Sequence, residues 1–84
     1  MPYQVIINKK VVKTLAKTNE PDYSNIKEVL FSLADNPRPY GYIQMKGRDA
    51  YRIRVGNYRI IYEVFDDKLI VQVIDLGHRK EIYK

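Results

Sequence analysis

Between Tyr51 and Phe65 the chain alternates with a period of two on both sides of a glycine, and no other feature constrains the fold as tightly. Tyr51, Ile53 and Val55 alternate with Arg52 and Arg54, while Tyr58, Ile60, Tyr62 and Val64 alternate with Arg59, Ile61, Glu63 and Phe65. Successive side chains of a strand point to opposite faces, so this period predicts two strands. Gly56-Asn57 separates them, with glycine in the first central place that a type II′ turn favours. The stretch therefore predicts a β-hairpin with one apolar face and one face carrying Arg52, Arg54 and Arg59.

The remaining elements follow from weaker signals. Tyr3 to Ile7 is a β-branched apolar run and predicts a first strand. Asn8 can cap a helix from Lys9 to about Lys17, with Val11, Val12, Leu15 and Ala16 on one side and Lys9, Lys10, Lys13 and Lys17 around the other. Pro21-Asp22 resets the chain. Tyr23, Ile26, Val29, Leu30 and Leu33 then recur at helical spacing until Asn36-Pro37 ends the pattern. Pro37, Pro39 and Gly41 mark an irregular stretch to about Lys46. After the hairpin, Asp66-Asp67-Lys68 turns, Leu69 to Leu76 reads as a last strand closed by Gly77, and His78 to Lys84 is a polar tail. The order is β-α-α-β-β-β, an α+β fold with two N-terminal helices packed on a twisted antiparallel sheet.

With 84 residues and no linker or repeat, the chain reads as a single domain, 1–84. An apolar share of 45% beside 30% charged residues supports a small core. There is no cysteine and one histidine, which argues against disulfides, thiol catalysis and any bound metal. The four glycines match neither a P-loop nor a dinucleotide fingerprint, so no cofactor is expected. No apolar run approaches the length of a membrane span, and a soluble cytoplasmic protein is the default expectation. The net charge of +5 favours a polyanionic partner. Residues 46 to 59 hold Lys46, Arg48, Arg52, Arg54 and Arg59 against Asp49 alone, a local balance of +4.

Like charges facing one another on neighbouring strands are unfavourable by a few tenths to about one kcal/mol, and a bound anion removes that repulsion. Guanidinium forks suit phosphate oxygens. The plain alternative is a solvated basic strand face, with Glu63 as a partner for the arginines. A tail folded back over the sheet would add Arg79, the His78 imidazole and the Tyr83 phenol. Metal-free RNA cleavage needs such groups: one to take the 2′-hydroxyl proton, one to protonate the leaving 5′-oxygen, and cations around the phosphorane. A tyrosine can also stack on a splayed base.

The segment K-G-x-x-x-Y-R-I-R-x-G-x-Y-R-x-I-Y, from Lys46 to Tyr62, and the ending G-H-R-x-x-x-Y, from Gly77 to Tyr83, resemble the RelE/ParE toxin superfamily, closest to its RelE branch. The strand and two helices of the N-terminal half agree in order. The resemblance implies a toxin of a type II toxin-antitoxin system, an endoribonuclease that cuts mRNA in the ribosomal A site and stops translation. It also implies neutralisation by a RelB-like antitoxin whose helix covers the toxin surface; the expected routes of inhibition are cover over Arg59 and Arg79 or displacement of the tail with Tyr83. By resemblance Arg52 and Arg54 match two strand cations of the family site, Arg59 its phosphate-stabilising arginine, Arg79 the arginine of the C-terminal motif and Tyr83 a base-stacking tyrosine. The best-known pattern has lysines where this chain has Arg52 and Arg54. An arginine does not give up its proton, so elimination assigns proton transfer to His78, with Glu63 and Tyr83 behind it. Two other functions stay open: a ParE-like toxin that poisons gyrase without cutting RNA, and a basic nucleic-acid-binding module with no chemistry.

Overall fold

A computed structural model of the chain describes residues 2–45 and 50–78. Along the chain come β1 (Gln4–Ile7), α1 (Lys9–Ala16), α2 (Asp22–Ser32), β2 (Ile43–Gln44), β3 (Ala50–Val55), β4 (Tyr58–Phe65) and β5 (Ile70–His78). The strands form one sheet in the order β1-β5-β4-β3-β2. β2 through β5 pair antiparallel, as expected, but β1 lies parallel to β5 at the edge, so the sheet is mixed. A parallel neighbour cannot be reached by a hairpin; here the whole of the intervening chain separates the two strands. β2 is a two-residue strand within the stretch expected to be irregular.

Local chemistry explains the helices. The Asn8 side chain accepts a hydrogen bond from the Lys10 backbone N–H at 3.3 Å and caps α1. In α1 only Val11 is fully buried. Val12 lies 51% exposed, because residues four apart share a face and the Val11/Leu15 pair takes the core side. Pro21 precedes α2 and offers no capping side chain. Glu20 substitutes for it, accepting from the Ser24 N–H at 2.9 Å and from the Ser24 hydroxyl at 2.7 Å, and these bonds hold its carboxyl below the usual range.

Both helices cover the same side of the sheet, α1 against β5 and α2 against β3. Val11, Ile26, Leu30 and Leu33 from the helical side meet Tyr51, Ile53, Val55, Ile60, Tyr62, Val64, Val71, Val73 and Leu76. Full burial of an aliphatic side chain of this kind is worth roughly 1.5–3 kcal/mol, so this face carries the stability. Gly56 has φ +61 in the two-residue link between Val55 and Tyr58, the conformation a type II′ turn asks of its first central residue. No helix among the described residues is long and apolar enough to cross a membrane.

One irregularity sets the faces of the last strand. Ile61 stands opposite Asp75 while Tyr62 stands opposite Val73, leaving Ile74 as an extra residue in β5. Such a bulge inverts the alternation beyond it. Leu76 is thereby returned to the core and Gly77 is set across from Arg59.

Candidate active site

The hairpin register brings the strand arginines together. Arg54 is directly across from Arg59, and Arg52 lies two residues along the same face, between Ile61 on one side and Ile43 of β2 on the other. Because Val55 and Tyr58 close the turn, Arg54 and Arg59 form a non-hydrogen-bonded pair, in which cross-strand side chains approach most closely. Their exposures differ. Arg54 is open to solvent, Arg52 is half-buried and Arg59 is only 6% exposed. Both Arg52 and Arg59 are engaged by their surroundings, so the cluster combines a fixed guanidinium with one that is free to meet a ligand from solvent. On the neighbouring strand Gly77 puts no side chain beside Arg59. This face can seat a tetrahedral anion against charged donors at its centre.

Glu63 follows Ile61 on the same face, opposite Ala50. It is half-buried and stands diagonally across from Arg52. Among the described residues it supplies this end of the face with a carboxylate, the proton-accepting function that arginines lack.

His78 does not join the cluster. The sequence puts it in a tail that could fold over the arginines, whereas the structure makes it the last residue of β5, directly across from Tyr58. Tyr58 packs against the core, so His78 faces the helices. Its ring meets that of Tyr58 edge-on at 5.5 Å, and the two line a groove with Thr14, Lys17 and Thr18 of α1 and the segment after it. The bulge at Ile74 is the physical reason: regular alternation from Val71 and Val73 would have turned residue 78 to the arginine side. Arg79 and Tyr83 lie outside the described residues, as do Lys46 and Arg48.

A second polar cluster was not anticipated from the sequence. Arg38 grips Asp66 with both ends of its guanidinium, at 3.1 and 2.9 Å, and donates to the Tyr51 hydroxyl at 3.1 Å. The Tyr3 hydroxyl donates to the same carboxylate at 2.6 Å. Arg38 and Tyr3 together hold the Asp66 carboxyl down to about 2. Tyr62 donates to the Pro37 carbonyl at 2.8 Å in a buried setting, and burial pushes its phenol up to about 12. These bonds tie the segment after α2 to the β4-β5 turn and to the hairpin. The available signal was an arginine held between Pro37 and Pro39 in a chain with eight tyrosines.

Residues 5–83 match the family described as the ParE toxin of type II toxin-antitoxin systems. RelE1 of Methanocaldococcus jannaschii is 32% identical, over 100% of this chain and 98% of its own. The mRNA interferase toxin RelE of Escherichia coli is 28% identical over 99% of this chain and 92% of its own. Among solved structures, the archaeal RelE-RelB complex from Pyrococcus horikoshii superposes with a TM-score of 0.86 at 32% identity, covering 96% of this chain and 99% of that one. The isolated Escherichia coli RelE toxin gives 0.78 at 28% identity, covering 96% and 90%. The antiparallel hairpin that carries the arginines, the two helices behind it and the matches along almost the whole length agree: the chain belongs to the ParE toxin family of type II toxin-antitoxin systems, on its RelE branch.

Proposed function

We propose that the protein is a toxin that cleaves mRNA, acting on the ribosome, with the scissile phosphate seated on Arg52, Arg54 and Arg59. The observation that carries this reading is the in-register Arg54/Arg59 pair, two like charges opposed on the face turned away from the helices. The relative named an mRNA interferase supports the substrate class.

In the reaction the 2′-oxygen of the nucleotide loses its proton and bonds to the adjacent phosphorus while the P–O5′ bond breaks and the departing 5′-oxygen takes a proton from water. Negative charge builds on the phosphorane oxygens, and charged donors already in place stabilise it more than they stabilise the ground state. Arg59, fixed by burial, and Arg54, opposite it, supply that charge. Neither can take the proton. Glu63 takes it in this scheme, and the C-terminal Arg79 and Tyr83 supply a further cation and a stacking ring. His78, facing the helices, has no part in proton transfer.

A RelB-like antitoxin is the partner, a reading supported by relatives solved as RelE-RelB complexes. An acidic segment laid on the arginine face would compete directly with RNA.

Primer extension on a defined mRNA in programmed ribosomes tests the reading, with wild type beside an Arg54→Ala, Arg59→Ala double variant. Wild-type cuts in the A-site codon that disappear in the variant are the expected result. Intact mRNA under conditions where the protein still arrests growth would overturn it in favour of another target such as gyrase.

A further inference from the structure

The same bulge that removes His78 from the arginine face builds a second concave surface on the helix side. β1 stops opposite Val73, and beyond that point α1 borders the outer edge of β5. Two contacts fix its course. The Lys10 amine pairs with Asp75 at 3.5 Å, and Thr14, Lys17 and Thr18 meet Tyr58 and His78 around a groove of about 410 Å³. Asp75 and His78 are three strand residues apart, roughly 10 Å, and Lys10 and Lys17 are seven helical residues apart, also roughly 10 Å. α1 therefore runs alongside the strand. Lys13, three residues after Lys10 and four before Lys17, shares their face and falls between the two contacts.

The bonds already made in this groove restrict what it can hold. The Thr14 hydroxyl donates to the Lys10 carbonyl at 3.0 Å and the Thr18 hydroxyl to the Thr14 carbonyl at 2.9 Å. With their protons committed, both oxygens can only accept from a ligand. Lys13 and Lys17 make no ion pair among the described residues, and α1 contains no acidic side chain. Tyr58 and His78, edge-on at 5.5 Å, add an aromatic wall. The volume falls within the roughly 300–1,000 Å³ of small-ligand sites. A ligand that suits all three features carries an anion for the lysines, N–H or O–H donors for the threonine oxygens and a planar ring for the wall. A nucleotide has these parts. Inorganic phosphate brings neither donors nor ring. An acidic peptide added as a strand is opposed by the edge itself, where the Leu76 N–H already donates to the Asp75 carboxylate at 2.9 Å.

We propose that the groove between α1 and the end of β5 is a nucleotide subsite: phosphate at Lys13 and Lys17, base or ribose donors on the Thr14 and Thr18 oxygens, and the ring against Tyr58 and His78. It lies on the face of the sheet opposite Arg54 and Arg59, so a nucleotide held there is not the one being cut, and the inference does not depend on the nuclease reading. A free nucleotide and a unit within single-stranded RNA present the same chemistry.

The test measures binding to the full chain carrying Arg54→Ala and Arg59→Ala, by anisotropy of a labelled single-stranded RNA and by competition with adenosine monophosphate, ribose 5-phosphate and inorganic phosphate at matched ionic strength. Adenosine monophosphate should compete about 5- to 150-fold better than ribose 5-phosphate, the range that base stacking supplies, and inorganic phosphate should compete least. Adding Lys13→Gln and Lys17→Gln should lower the slope of log K against log salt by about 1.4, at about 0.7 per phosphate contact on a single strand. Thr14→Val and Thr18→Val should each weaken adenosine monophosphate binding about 2- to 10-fold with that slope unchanged and the melting temperature close to the parent's. Affinity that rises with RNA length assigns the subsite to a strand, and affinity equal for mononucleotide and strand assigns it to a free nucleotide; either supports it. Equal competition by adenosine monophosphate and inorganic phosphate, or threonine variants that bind like the parent, overturns the subsite and leaves a plain cationic surface. Displacement of the RNA by an oligoglutamate peptide where adenosine monophosphate fails overturns it in favour of a protein partner. Because binding is read on a chain without the opposed arginines, failure of the nuclease reading moves none of these outcomes.

Discussion

Replacing Arg54 by glutamine should make the protein more stable and less active, and the size of the gain can be worked from the register. Arg54 and Arg59 stand opposite each other next to a two-residue turn, at a non-hydrogen-bonded position where Cα atoms are about 4.5 Å apart. With charge centres roughly 7 Å apart and an effective dielectric between about 40 and 80, the repulsion is about 0.6 to 1.2 kcal/mol. Arg54 is solvent-exposed, which brings the expected value to the lower end, about 0.5 kcal/mol. Glutamine removes the charge and retains the start of the side chain. For a domain of this size, 0.5 kcal/mol raises the melting temperature by roughly 2 to 4 °C. The assay is thermal unfolding by circular dichroism at about 20 mM and about 1 M salt. At 1 M the Debye length falls to about 3 Å, so the difference should vanish. A variant no more stable than wild type in low salt, or a gap that persists in high salt, would refute the reasoning that this pair is held together against its own repulsion.

Tyr62→Phe leaves the buried Pro37 carbonyl without its donor and should lower stability by about 1 to 2 kcal/mol in urea unfolding with the m-value unchanged. Asp66 has a folded pKa of about 2, below an unfolded value of about 3.9. Its contribution is therefore complete above about pH 4 and lost as the pH falls toward 2. Urea titrations of wild type and Asp66→Asn should show a gap at pH 7 that closes over that window; a gap independent of pH would refute the Arg38 clamp. In cleavage assays Glu63→Gln should lose about 10²- to 10⁴-fold while His78→Ala stays within a few-fold of wild type; the reverse pattern would refute the assignment of faces.

The hairpin was legible because three local signals agreed: period two, β-branched and aromatic residues, and glycine at the turn. The same agreement of face and register delivered Arg52, Arg54 and Arg59 together. α1 was legible from its cap, although helical spacing alone did not distinguish Val11 from Val12; only the tertiary position of β5 decides which neighbour is buried. β1 could be recognised as a strand but not as a parallel one, since nothing within Gln4–Ile7 encodes a partner more than sixty residues away. The fate of His78 was hidden for a more specific reason. In Val71-Gln72-Val73-Ile74-Asp75-Leu76 the core residues are separated by one position and then by two, and that change of step is visible only once the bulge is known. The Arg38 clamp joins residues 28 apart through side chains alone, which no periodicity reports.

The apolar core and the arginine row lie on opposite faces of one sheet, and the bulge keeps them separate. Without the extra residue, Leu76 would leave the core for the arginine side and His78 would take its place among the cations. With it, Leu76 completes the apolar layer beneath α1, and glycine is the β5 residue that meets Arg59. The helix side can then be packed without regard to charge, since Val11, Ile26 and Leu33 bury completely there. Its apolar burial, at roughly 1.5–3 kcal/mol per side chain, far exceeds the half kilocalorie or so by which Arg54 and Arg59 repel. Under the proposed function, a fold built this way tolerates a destabilising charge row where a phosphate would be held, because the apolar layer beneath the helices closes without Arg52, Arg54 or Arg59.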